Sequence, residues 1–159
     1  MPQNTNIIQT LKALGIHLPE PPPAVASYVP VRVEGSLAYV SGQLPFVEGK
    51  LPQTGLVGVD IGVEQAQALA RTCAINALAA LHEYAGGLDN IAGIVRLGIF
   101  VACGPDFTDH PKVGNGASEL MQEVFGDTGR HARAAVGCSS LPLASPVEVE
   151  MLARLRDAV

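Results

Sequence analysis

At 159 residues, with 48% apolar and 16% charged side chains, the chain has the make-up of one folded domain and excludes an intrinsically disordered segment. A net charge of −5 with dispersed Lys and Arg argues against nucleic-acid binding; the densest basic grouping, Arg130, His131 and Arg133, is too small to track a phosphate backbone. The mean hydropathy of +0.28 leaves little polar surface, which favours a chain that buries part of itself against its own copies.

Four Phe, three Tyr and no Trp mean that the core has to be built from Ala, Val, Leu and Ile. The cysteines, Cys73, Cys103 and Cys138, are odd in number and form no CxxC or CxxH pair, so they read as small core residues in a reducing compartment rather than zinc ligands. No basic-then-apolar leader and no apolar run of membrane length is present, and the expectation is a cytoplasmic protein without a membrane partner, metal or cofactor.

In chain order, Ile7, Ile8, Leu11 and Leu14 fall at helical spacing within 4–14, ahead of a stop at Gly15. Residues 18–23, with four prolines, form an extended connector. The runs 28–33 and 37–41, joined by Glu34-Gly35-Ser36, predict a β-hairpin, and the Gly- and Pro-rich stretch 42–60 a long loop. A helix is predicted over 62–84, where Val63, Ala66, Ala70, Cys73, Ala77, Ala80 and Tyr84 line one small-residue face; Gly86-Gly87 ends it. The nearly continuous apolar run 94–102 predicts a strand buried on both faces, and a turn follows at Gly104-Pro105. Helical spacing returns over 112–125. Two strands close the chain: 131–138, with His131, Arg133 and Ala135 on one face, and 146–156, with Val147, Val149, Met151, Ala153 and Leu155 alternating against polar residues. This order predicts an α+β fold over 1–159, a mixed sheet carrying two main helices on one face. Residues 1–23 form an N-terminal helix and connector, and 24–159 the core.

Short motifs add little chemistry by themselves. The glycines at 55, 58 and 62, and at 114 and 116, fit no phosphate-binding pattern and read as turns. His17, His82, His110 and His131 are scattered and define no hydrolase triad.

Three segments taken together resemble one family. They are YVPVRVEGSLAYVSGQLP (28–45), GNGASELMQEVFG (114–126) and RHARAAVGCSSLPLASPVEVE (130–150). In order and spacing they are similar to the hairpin, second helix and signature of the YjgF-type, reactive-intermediate deaminase (Rid) family, also known as L-PSP endoribonuclease-like. The resemblance covers roughly 24–155. It implies a chorismate-mutase-like homotrimer with sites between subunits, and hydrolysis of enamines and imines such as 2-aminoacrylate and 2-iminopropionate to a keto acid and ammonia.

Arg133 matches the family's carboxylate-binding arginine, and a planar guanidinium suits that task by donating two parallel hydrogen bonds; the alternative is an exposed strand arginine or a salt bridge to Glu148 or Glu150. Glu148 matches the carboxylate that positions water, against the reading of a solvated strand face, with Glu150 next in line. Tyr28 matches a pocket aromatic or is an ordinary edge-strand residue; Ser41 and Gly42 match a ligand-approaching turn or are only a turn; Asn115 matches the family's helix-start Asn or is an N-cap. Where many members carry a Cys two residues after the Arg, this chain has Ala135, which bears on substrate range and thiol regulation. A non-catalytic protein binding small carboxylates or a regulatory partner in the same cleft is the alternative function. The ribonuclease activity attached to relatives sits poorly with the negative charge.

Overall fold

Five strands and three α-helices follow the predicted order in the computed structural model, which describes residues 6–21, 23 and 27–156. Residues 4 and 5 of the predicted first helix, Pro22 of the connector, 24–26 at the expected start of the core and 157–159 lie outside the described residues. The elements are α1 (Ile7–Ala13), β1 (Val31–Glu34), β2 (Leu37–Gln43), α2 (Val63–Tyr84), β3 (Ile91–Ala102), α3 (His110–Phe125), β4 (Ala132–Cys138) and β5 (Val147–Leu155). Among the described residues no helix is long and apolar enough to cross a membrane.

The sheet runs β1-β2-β5-β3-β4, antiparallel except for the β3–β4 pair, which is parallel and linked through α3. β5 lies at its centre, and its period-two pattern fixes the two faces: Val147, Val149, Met151 and Ala153 are buried under the helices, while Glu148, Glu150 and Leu152 point the other way. α2 packs on β5 and β2, and α3 on β3 and β4. Among the described residues, helices cover only this side. The prediction that β3 is buried on both faces is therefore corrected: Arg96 is exposed and Phe100 half-buried on the side without helices. Tyr39 and Val136 are 48% and 45% exposed, so this open face keeps substantial apolar surface.

Of the predicted small-residue face of α2, Ala66, Ala70, Cys73, Ala77 and Ala80 are buried, whereas Val63 is half-buried and Tyr84 exposed at its two ends. Small side chains allow close helix packing, and the closest approach falls at Gly116 of α3, where an added Cβ would collide with the backbone carbonyl of Gln67. Gly114 and Gly116 are thus packing residues inside a helix, which corrects the turn reading. Gly116→Ala is expected to destabilise the protein by about 1–3 kcal/mol despite alanine's better helix propensity, because a backbone obstacle cannot rotate away. Urea denaturation measures this directly; an unchanged midpoint would show that the two helices can separate at no cost.

Candidate functional site

β4 is an edge strand, and Arg133 pairs in register with Leu97, a fully buried residue of the helix-covered face. The arginine therefore enters the space beneath the first turns of α3. Gly114 makes room for it, since a Cβ there would come 3.2 Å from Arg133 Nη1. Nη1 donates to Asn115 Oδ1 at 3.0 Å and to Ser118 Oγ at 3.1 Å, and Nη2 donates to the Pro111 carbonyl at 3.3 Å. All three acceptors are neutral. Among the described residues Arg133 forms no ion pair; the predicted alternative of a bridge to Glu148 or Glu150 is not formed, because both glutamates point to the opposite face of the sheet, where Glu150 Oε1 pairs with Arg96 Nη1 at 3.0 Å.

Asn115 lies in the second turn of α3, which begins at His110 with Asp109 as its N-cap. The N-cap alternative is thus corrected: the helix starts earlier because Pro111, lacking an N–H, suits its first turn. Two neighbours escaped the sequence reading. His131 Nε2 lies 3.0 Å from Ser118 Oγ, and its Nδ1 lies 2.7 Å from the Gly129 carbonyl. The available signals were spacing: His131 shares strand parity with Arg133, and Ser118 follows Asn115 at helical i+3. Ala135 comes next on this face, so the family's thiol position is a methyl. Further along, the buried Cys103 places Sγ 3.4 Å from His110 Nε2, both packed against Gly137.

The other predicted residues gather at the opposite side of the molecule. Glu148 pairs in register with Phe100 on the open face, and its carboxylate lies directly over Gly42, where any Cβ would overlap it. β2 and β5 slip register between Val40 and Gln43, which lets the backbone come this near. Gly42 is required for close approach, and the group that approaches it here is the chain's own Glu148 side chain. Tyr28, Pro30, Phe46 and Leu143 join Gly42 and Glu148 around a cleft of about 390 Å³. Burial in this largely apolar setting pushes the Glu148 carboxyl above its ordinary range, and the charge of Glu150 adds to the rise.

Tyr28 precedes β1 rather than lying in a strand, because the chain bends over 27–30 before pairing begins; this corrects the edge-strand alternative. It is 52% exposed and also borders a second cleft, of about 530 Å³, with Ser41, Arg96 and Glu150. The Ser41 hydroxyl donates to the Val29 carbonyl at 2.7 Å, and its N–H to Pro30 O at 2.9 Å, so Ser41 ties the Tyr28 segment to β2. Leu143 and Ala144, beside the Glu148 cleft, both hold positive φ of 56°. Non-glycine residues rarely adopt that conformation, and the Ala144 carbonyl is held by the Gly55 N–H at 2.9 Å.

The candidates thus form two half-sites. Arg133, Asn115, Ser118 and His131 lie under the helix layer at the β4 edge; Tyr28, Gly42 and Glu148 lie on the open face where the end of β2 meets the start of β5. Arg133 and Glu148 occupy opposite faces of the sheet, and one chain does not bring them together.

Residues 9–155 match the family described as "YjgF/chorismate_mutase-like, putative endoribonuclease". The chain belongs to this family, and its α+β sheet is the family's chorismate-mutase-like fold. It is 39% identical over 152 residues to Protein TCP17 of Trypanosoma cruzi, covering 95% of each chain. Among solved structures it resembles Atu1372 of Agrobacterium tumefaciens, a protein of unknown function, with 44% identity, a TM-score of 0.89 and coverage of 96% of this chain and 94% of that one. The YjgF gene product of E. coli is similar at 25% identity and TM-score 0.63, over 86% of this chain and 94% of that one.

Proposed function

We propose that the protein is a hydrolytic deaminase of small 2-imino acids and their enamine tautomers, of the 2-iminopropionate and 2-aminoacrylate kind, acting at sites completed between copies in a homotrimer. The observation that carries this reading is the state of Arg133. A guanidinium has five N–H groups; three are satisfied by neutral acceptors, and two, one of them Nε–H, have no acceptor among the described residues. A half-buried, pre-oriented cation with two donors to spare and no counter-charge suits a carboxylate.

The reaction adds water across the C=N bond to give a carbinolamine, which expels ammonia and leaves the keto acid. No redox step is involved. What the protein has to supply is an anchored carboxylate, an oriented water and a group that takes and returns its proton. Glu148 fits the last two tasks: its raised pKa makes it a stronger base than a solvent-exposed carboxylate, and the cleft beside it has room for a small substrate and a water. The separation of the two half-sites onto opposite faces supports a shared site, because an edge-strand arginine of one copy meeting the Glu148 cleft of another joins them. The apolar open face offers the surface for that assembly.

The test is release of ammonia and pyruvate from freshly generated 2-iminopropionate, run beside sedimentation of the same sample. The expected result is acceleration over buffer by a trimer. A folded trimer with no acceleration would move the reading to a carboxylate-binding module, and a monomer with full activity would remove the shared site.

A further inference from the structure

We propose that Ser118 and His131 are positioning residues that lock the Arg133 guanidinium before any ligand arrives; this rests on the reading of Arg133 as the carboxylate anchor. The Gly129 carbonyl can only accept, so the neutral His131 ring carries its proton on Nδ1, which donates to that carbonyl at 2.7 Å. Nε2 is then an acceptor for the Ser118 hydroxyl, 3.0 Å away. Arg133 Nη1 can only donate, and Ser118 Oγ accepts it at 3.1 Å.

The far end of this chain is itself fixed. Gly129 closes the 3-10 turn Gly126–Gly129 after α3 and is pressed against the Met121 carbonyl so tightly that no Cβ fits. The series from α3 through Gly129, His131 and Ser118 therefore returns to α3, forming a closed brace around one end of the arginine. Asn115 holds the second Nη1 hydrogen. Arginine is otherwise a long, many-rotamer side chain, and ordering it in advance removes that cost from ligand binding. A brace acting on Nη1 also turns the Nε side of the guanidinium toward the ligand. Its loss is therefore expected to weaken ground-state binding of carboxylates while leaving proton transfer at Glu148 untouched.

Two measurements separate this role from a merely structural one. The first is affinity for pyruvate, a stable carboxylate probe, read by NMR titration of wild type, Ser118→Ala, Ser118→Thr, His131→Ala and His131→Gln. The second is the arginine guanidinium spectrum of each protein without ligand, in which a locked Nη1 shows resolved protons and a freely rotating one does not. Ser118→Ala and His131→Ala are expected to raise the dissociation constant about 3- to 10-fold, the worth of one net hydrogen bond. KM in the imine assay rises with it, kcat stays within about twofold, and the Nη1 protons average out. Ser118→Thr, which keeps the hydroxyl, and His131→Gln, which keeps an acceptor within reach, restore most of the affinity. Wild-type affinity and resolved Nη1 protons in folded Ser118→Ala would overturn the brace. If wild type binds no pyruvate, the carboxylate-anchor reading fails, whereas the guanidinium spectra still decide whether the brace exists.

Discussion

Replacing Arg133 by alanine is expected to lower affinity for pyruvate and related carboxylates by about 10- to 150-fold, corresponding to about 1.5–3 kcal/mol for a charged hydrogen-bonded contact. Imine hydrolysis should fall at least as far in kcat/KM, because an unanchored substrate also loses its alignment with water. Arg133→Lys recovers only part of this loss. An ammonium keeps the charge but has one nitrogen, so it cannot donate to Asn115, Ser118 and Pro111 while also presenting two parallel N–H groups to a ligand. The substitution is not expected to unfold the protein, since the groups it strands are neutral, partly exposed and able to take up water. Unchanged pyruvate affinity in folded Arg133→Ala would remove the anchor and the proposed activity with it. Loss of affinity accompanied by collapse of the thermal transition would instead make the arginine a structural residue.

The elements were legible where one period ran unbroken. β5 reads from its alternation alone, and that alternation separates Val147, Val149 and Met151 from the two glutamates correctly. The parity of β4 likewise puts His131, Arg133 and Ala135 on a common face, and that face holds the arginine half-site. Errors arose where tertiary contact overrides local pattern. Gly114 and Gly116 look like turn residues, yet their meaning lies in the chains that approach them: Arg133 in one case and the Gln67 backbone in the other. Asn115 has the chemistry of an N-cap, and nothing nearby in sequence reveals that an arginine 18 residues later takes its amide oxygen. β3 reads as doubly buried because hydropathy does not distinguish a face covered by helices from one left open in a single chain. That last ambiguity is informative, since the same apolar open face is the surface proposed for assembly.

The half-site carried by Glu148 makes the second large prediction, in which activity and stability move in opposite directions. Glu148→Gln removes the base and is expected to cut kcat about 10²- to 10⁴-fold, with pyruvate affinity nearly intact because Arg133 is untouched. With Glu148 as the proposed base, wild-type activity requires the ionised carboxylate and is expected to fall as pH drops through the carboxyl's value. Burial, with Glu150 adding to it, raises that value, and the acid limb therefore lies above the range of an ordinary glutamate. Glu150→Gln should slide the limb downward. For stability the sign is reversed. The folded chain holds the Glu148 proton more tightly than the unfolded chain does, so its contribution is complete below the unfolded value and is lost as pH rises through the folded one. At neutral pH the ionised carboxylate is therefore a net cost, and Glu148→Gln, which has no charge to desolvate, is expected to melt at a higher temperature than wild type. Calorimetry at pH 7 beside the pH–rate profile checks both halves. Full activity in Glu148→Gln would remove the base from the mechanism, while a lowered Tm would mean that its carboxylate over Gly42 is held by favourable contacts rather than tolerated for the reaction.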